Sequence, residues 1–286
     1  MIRFSDNNDI KKIVTLWHEA FGDGEDEIMF FLANKFRPEN TLVYEFNGEI
    51  ASMLFLLEGK MSINGIDYDS YYLYAACTLK KYRGRGFMGE LLRFAEKIAS
   101  ERNINFICLL PGESSLYDFY ERFGYKTAFS KKTLKITSAD IDENFDSIEI
   151  KADNNLVELK KLRENAFNKT DHFIWDNQAI NYAINQNEMY GGKAIITCNG
   201  YLLYSVEGRK IFVKECTFSS EYLKSISALL LKNENADEII YHLPKTFQPS
   251  IGTYEVFPGG MLLPLNSEAE IAASDLKNAY LGLTLD

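Results

Sequence analysis

The chain has 286 residues, 46% hydrophobic and 25% charged, with 31 basic against 41 acidic side chains for a formal charge of −10. These are ordinary globular proportions for about two domains, and they exclude disordered, collagen-like and low-complexity classes. The acidic balance argues against a nucleic-acid partner, whose phosphates reward the opposite charge, and suits small cations such as amines.

The predicted elements begin with a helix over Asp9 to Ala20, where Ile10, Ile13, Val14 and Trp17 recur at helical spacing and Phe21 follows. A second helix, Glu25 to Lys35, comes after a Gly-Asp-Gly break. Strands Thr41 to Phe46 and Ile50 to Glu58 flank Asn47-Gly48, a pair that supplies the positive φ angles of a type I′ hairpin turn. Asn64-Gly65 makes another turn into the Tyr-rich strand Ser70 to Leu79. A glycine-rich loop, an amphipathic helix from Gly89 to Glu101, a strand Asn105 to Leu110, a helix Leu116 to Arg122 and a strand pair near Tyr125 to Ile136 follow.

The second half repeats this order in reduced form. A helix (Leu156 to Phe167) precedes strands Lys193 to Thr197, Tyr201 to Val206 and Lys210 to Cys216, with turns at Asn199-Gly200 and Glu207-Gly208. A helix Glu221 to Lys232 and a strand Glu238 to Leu243 complete it. Ala76-Cys-Thr-Leu79 matches Glu215-Cys-Thr-Phe218, and Cys108-Leu-Leu-Pro111 matches Tyr241-His-Leu-Pro244. The second pair of anchors is six residues closer together, and the shortfall falls on the glycine loop. A diverged duplication is expected. The acidic stretch Ser138 to Ser147 sets the boundary, giving domains 1–138 and 146–286.

The chemistry concentrates in Lys80-Lys-Tyr-Arg83-Gly84-Arg85-Gly86-Phe87-Met88-Gly89, between a strand and a helix. Glycines let the backbone approach a ligand, and the unpaired N–H groups of the following helix point at an anion. Four basic side chains within six positions of an acidic protein favour phosphate. Gly84-x-Gly86-x-x-Gly89 also fits the dinucleotide fingerprint, with Glu113 near the place of its ribose-binding acid. Against that reading, a long antiparallel stretch comes first, where the fingerprint opens a parallel series. A Walker A loop fails, since Glu90 and Leu91 stand where Lys and Ser/Thr are required.

Arg83-x-x-Gly86-x-Met88 resembles the Q/R-x-x-G-x-G/A loop of the GNAT superfamily of N-acetyltransferases, with Met88 at the usual small position. Independently, Phe119-Tyr120-Glu121-Arg122-Phe123-Gly124-Tyr125 resembles that family's YExxGF segment. The Gly-Phe-Met variant is similar to enhanced-intracellular-survival-type acetyltransferases, which are multidomain with a GNAT-like second region. The resemblance implies an α/β (α+β) fold, a mixed central sheet flanked by helices, with a degenerate second copy. It implies acetyl-CoA as co-substrate, its pyrophosphate on Arg83, Gly84, Arg85, Gly86, Phe87, Met88 and Gly89. Its pantetheine would lie along Ala76, Cys77 and Thr78. Tyr120 matches the tyrosine that protonates the leaving thiolate, with Tyr117 in reserve.

The activity so implied moves an acetyl group to a primary amine, small-molecule or protein, by direct attack in a ternary complex. Cys77 has no histidine near it in sequence and is not expected to act as nucleophile. No carboxylate stands on the strand before the loop to act as base; Tyr72, Tyr74 or water are left as relays. In the multidomain relatives the C-terminal carboxylate enters the site, which points to Asp286. Tyr68 to Tyr74 and Trp175 are candidates for an acceptor groove. A non-catalytic CoA-binding module and a dinucleotide-dependent oxidoreductase remain the alternative readings. The four cysteines and three histidines are scattered without a CxxC pair, so no metal site is expected. No apolar run approaches the ~20 residues that span a bilayer, and the N-terminus lacks a signal-peptide pattern. A cytoplasmic chain without a membrane partner is expected; the sequence sets no oligomeric state.

Overall fold

The computed structural model describes residues 1–141, 156–274, 276 and 278–284. In chain order, β1 (Ile2–Phe4) leads to α1 (Ile10–Phe21), α2 (Glu25–Lys35), β2 (Thr41–Phe46), β3 (Glu49–Ile63) and β4 (Ile66–Thr78). Next come α3 (Phe87–Glu101), β5 (Phe106–Leu109), α4 (Ser115–Glu121), β6 (Lys126–Thr137), α5 (Leu156–Phe167) and β7 (His172–Ile174). The last are α6 (Asn177–Met189), β8 (Lys193–Thr197), β9 (Gly200–Glu207), β10 (Lys210–Cys216), α7 (Leu223–Asn233), β11 (Glu238–Pro244), β12 (Thr253–Pro264) and α8 (Ser267–Ala272).

Two compact units share these elements, and their segments interleave. The first takes Met1–Met61, Tyr68–Lys126 and Met261–Ser274; the second takes Ser62–Asp67, Thr127–Gly260 and the described residues after 274. In the first unit the strand order is β1-β2-β3-β4-β5, then the end of β12. Asn47-Gly48 (φ +52° and +78°) and Asn64-Gly65 (φ +51° and +78°) make the two hairpin turns in the left-handed conformation the sequence predicts. β4 and β5 are parallel, over Ser70–Tyr72 and Phe106–Cys108. The other side of β5 is closed antiparallel by Met261–Pro264 of β12. Under this mixed sheet α3 buries Leu91, Leu92, Ala95 and Ala99, which pack with Leu54, Leu56, Ile107, Leu109 and Met261.

The strand pair expected near Tyr125 to Ile136 is instead the single strand β6. Its residues Lys131–Thr137 pair with β11, so no local hairpin partner is needed. In the second unit the order β6-β11-β10-β9-β8 repeats the pattern of the first: β8, β9 and β10 antiparallel, β10 and β11 parallel, and an antiparallel strand beyond. The turn between β8 and β9 is Cys198–Asn199, since Thr197 pairs with Gly200. Gly200 is there for close approach, not for the turn: a Cβ on it would lie 3.0 Å from Phe218 Cα. Its core gathers Leu202, Ile211, Val213, Phe218, Leu223, Ile226, Leu230, Ile239 and Leu243. Among the described residues no helix is long and apolar enough to cross a membrane. No group of three or more His, Cys, Asp or Glu among them is placed to hold a metal ion.

His172 gives this unit a pH dependence. It is 5% exposed, its Nδ1 bonds Thr170 O at 2.7 Å, and its Nε2 has no partner among the described residues. Burial, then the nearby Arg163 guanidinium, lowers its pKa to about 4. The unfolded chain therefore binds a proton below about pH 6.5 that the folded chain refuses. The stabilisation is full above that pH and is lost as pH falls towards 4, at a slope of about 1.4 kcal/mol per pH unit. Thermal melts from pH 7.5 to 5 should show a shallower fall for His172→Gln than for the parent; parallel curves would remove the assignment.

Candidate active site

The loop between β4 and α3 is built around two left-handed glycines. Gly84 has φ +77° and Gly86 φ +85°. No heavy atom lies within 4 Å of where a Cβ would stand on either, so conformation, not crowding, demands glycine there. Gly86 caps α3, and Glu90 N–H makes the first helical bond, to Gly86 O at 3.0 Å. The amides of Phe87, Met88 and Gly89 precede it and point out of the helix N-terminus, where an anion is attracted. Phe87 pins this end by stacking on Tyr44, ring centroids 4.2 Å apart. Gly89 meets Phe123, whose Cζ would be 2.9 Å from a Cβ, so the glycine lets α3 seat against the segment after α4.

The cations divide into two groups. Lys81 is paired with Glu49 at 2.7 Å, and Tyr82 Oη donates to the same carboxylate at 2.7 Å. Arg83 and Arg85 are exposed and have no carboxylate partner among the described residues. Arg83 Nε donates to Thr78 O at 3.2 Å, which holds it across the strand end. Arg85 lies over the rings of Tyr82 and Phe46, at 5.4 and 5.7 Å. Two uncompensated guanidinium groups beside outward-pointing amides are groups that could hold a polyanion of pyrophosphate type.

Beside the loop, β4 and β5 part. Their register ends at Tyr72↔Cys108, although β4 runs on to Thr78. Ala75, at φ +48°, is a left-handed residue within the strand. Such a position costs a non-glycine residue roughly 1 kcal/mol and bends the strand. The backbone from Leu73 to Thr78 thus faces an opening where a paired strand would otherwise lie. Ala76 and Thr78 are half-buried there, while the thiol of Cys77 is buried. Ser52 Oγ donates to Cys77 O at 2.8 Å and lies 2.8 Å from Thr78 Oγ1, tying this stretch to β3. Burial pushes the Cys77 thiol well above its ordinary value, which makes it a poor nucleophile.

Tyr120 reaches the same region from α4. It is 7% exposed and packs on Phe119 and Tyr125, ring centroids 5.3 and 5.7 Å away. Burial, then the neighbouring Cys77, pushes its phenol up to about 12. Its hydroxyl makes no hydrogen bond among the described residues, yet it is not among the fully buried polar atoms left without a partner, as Tyr125 Oη is. The phenol is therefore protonated at working pH and its hydroxyl touches open space beside β4.

The remaining sequence candidates separate. Tyr117 is half-buried one helical turn before Tyr120. Tyr74 stacks on Phe31 at 5.0 Å and meets Trp17 at 5.8 Å, and Tyr72 is buried beside it. Trp175 belongs to the second unit, 1% exposed with its Nε1 donating to Leu283 O at 2.8 Å; it is a core residue and lines no groove. Asp286 lies outside the described residues. Glu113 accepts from Ser115 Oγ at the start of α4, and the antiparallel β1-β2-β3 series removes the doubly wound parallel sheet a dinucleotide site needs. Sequence reasoning missed Ala75, which carries no local signal. It also missed Ser52, whose only signal is a hydroxyl within the apolar run Ile50 to Leu57.

Residues 1–128 match the sequence model of the family described as an acetyltransferase (GNAT) domain. The first half of the chain carries a GNAT domain. The fold likeness extends further than that match. A GCN5-related N-acetyltransferase from Anabaena variabilis superposes with a TM-score of 0.77 at 15% identity, covering 96% of this chain and 74% of its own. Eis1 from Mycobacterium abscessus gives 0.68 at 16%, covering 95% and 75%. A tandem GNAT protein from the clavulanic acid biosynthesis pathway gives 0.53 at 12%, covering 93% and 99%. At these identities the likeness shows the fold, a mixed-sheet GNAT architecture in tandem. No curated protein matches the chain in sequence. In the GNAT domain the glycine loop, the strand opening and Tyr120 all belong to the first unit.

Proposed function

We propose that the protein is an acetyl-CoA-dependent N-acetyltransferase acting on a primary amine by direct attack in a ternary complex. The observation that carries the reading is the exposed loop Arg83–Gly86, left-handed at Gly84 and Gly86 and with two guanidinium groups that have no carboxylate partner among the described residues, set beside a strand opened at Ala75. The loop amides with Arg83 and Arg85 hold the pyrophosphate, and the β4 backbone at Ala76–Thr78 takes the pantetheine amides. The amine nitrogen attacks the thioester carbonyl carbon; the C–N bond forms, then the C–S bond breaks. The nitrogen, cationic after attack, releases its proton to solvent, while Tyr120 gives its proton to the departing sulfur and takes one back from solvent. The thiol and the amide leave as neutral products. The net charge of −10 favours a cationic acceptor, small-molecule or protein amine.

Calorimetry with acetyl-CoA, followed by a panel of amines screened for thiol release, tests both halves. Arg83→Ala/Arg85→Ala should weaken acetyl-CoA binding by about 10²-fold, from two lost charge-assisted contacts of roughly 1.5 kcal/mol each. The affinity of the parent should fall with added salt more steeply than that of the variant. Binding without thiol release for any amine would favour a non-catalytic CoA module; no binding at all would end the reading.

A further inference from the structure

Lys81, Arg83 and Arg85 are each held in the loop by a different force. Lys81 is held by the charge of Glu49, at 2.7 Å, and Arg83 by the carbonyl oxygen of Thr78, which accepts from its Nε at 3.2 Å. Arg85 is held by aromatic faces. Its guanidinium lies 5.4 Å from the ring centroid of Tyr82 and 5.7 Å from that of Phe46, within the range of cation–π attraction. The two rings meet edge to face at 5.5 Å, and Phe46 packs in turn on Phe87, 5.2 Å away at the first residue of α3. The shelf under Arg85 is thereby joined to the helix end whose amides point outward.

Tyr82 is fixed at both ends. Its backbone closes a single 3₁₀ turn, Lys80–Tyr82, with its N–H on Leu79 O at 2.8 Å. Its hydroxyl donates at 2.7 Å to Glu49, the first residue of β3. The ring therefore has little freedom to swing away from the guanidinium. A guanidinium stacked on a ring uses only its face, because its N–H donors lie in its own plane and point outward. Among the described residues no carboxylate takes those of Arg85. Stacking thus removes in advance the side-chain freedom that a long arginine loses on meeting a ligand, and leaves its donors available. Lys81 Nζ is 5.1 Å from the same ring, but its charge is already met by Glu49.

We propose, resting on acetyl-CoA as the donor, that Tyr82 is a positioning residue: with Phe46 it holds Arg85 beside the N-terminus of α3, oriented for the pyrophosphate before the ligand arrives. It acts through Arg85, so its effect must vanish when Arg85 is removed. Calorimetry with acetyl-CoA on the full-length chain tests this as a double-mutant cycle. Arg85→Ala should weaken binding about tenfold, and Tyr82→Leu about fivefold. In the Arg85→Ala background, Tyr82→Leu should weaken it by less than about twofold. Tyr82→Phe keeps the ring and loses only the tie to Glu49, so it should weaken binding by about twofold. Circular dichroism melts check folding; should Tyr82→Leu melt early, Phe46→Leu takes away the other ring beneath Arg85 and runs the same cycle. An equal loss from Tyr82→Leu with and without Arg85 would make Tyr82 a packing residue and overturn the assignment. Binding by Tyr82→Leu as tight as the parent's, or tighter, would overturn it too, since Arg85 would then gain nothing from the ring. A parent chain that binds no acetyl-CoA ends the donor reading and the assignment together, whereas the two preceding outcomes leave the donor standing.

Discussion

Tyr120→Phe is expected to lower kcat by about 10²-fold or more while leaving acetyl-CoA affinity and the melting temperature nearly unchanged, the size of a lost general acid. The hydroxyl makes no hydrogen bond among the described residues, so its removal breaks no structural contact, and the ring still packs between Phe119 and Tyr125. The phenol is held near 12 by burial and by Cys77, so it stays protonated across the working range. Its ionisation therefore contributes no alkaline loss of kcat below about pH 11. On the proposed reading, a proton donor this weak acts by position, its hydroxyl standing beside the departing sulfur. Stopped-flow or steady-state thiol release by the two proteins at matched acetyl-CoA saturation measures the effect. Unchanged turnover would reduce Tyr120 to a packing aromatic.

The largest stability effect is expected at Glu215, which is fully buried in the second unit. Its carboxylate accepts from Arg163 Nε at 3.2 Å, Tyr201 Oη at 2.5 Å and Leu283 N at 3.2 Å. Arg163 is 3% exposed, and its Nη1 donates to Phe173 O at 3.1 Å while its Nη2 is without a partner among the described residues. Glu215→Ala leaves that guanidinium buried and uncompensated, a loss of about 3–5 kcal/mol. For a unit of this size that is a fall in Tm of about 10 °C. The Glu215→Leu/Arg163→Met pair should recover much of it, because the cost lies in the stranded charge and not in the missing bond. Differential scanning calorimetry of the three proteins decides: a double variant no more stable than Glu215→Ala would mean that the ion pair itself, with its hold on the chain at Leu283, is what stabilises the unit.

The site and the fold were legible in the sequence to different depths. The Asn47-Gly48 and Asn64-Gly65 turns, the apolar stripe of α3 and the glycine loop are local features: each is fixed by φ preferences or by spacing within about fifteen residues, and each stands where the pattern placed it. The repeat was visible in the Cys-Thr and Leu-Pro anchors, and the structure gives both halves a parallel strand pair that opens at its end. Asn199-Gly200 misled because a turn residue and a close-contact residue look alike in one dimension. Only Phe218, packed on Gly200 from another strand end, shows which it is.

What the sequence by itself determined was the local make-up of the loop: glycines at 84 and 86, both left-handed in the structure, beside exposed cations at 83 and 85. Tertiary structure alone decided where the opening lies and which strand closes each sheet. Met261–Pro264, some 150 residues along the chain, closes the side of β5 away from β4, while β6 pairs with β11. Strand pairing depends on which edges meet after collapse, and a chain's local preferences carry no record of that choice. The kink at Ala75 is decided the same way, since alanine has no preference for it and only the surrounding sheet can hold it there.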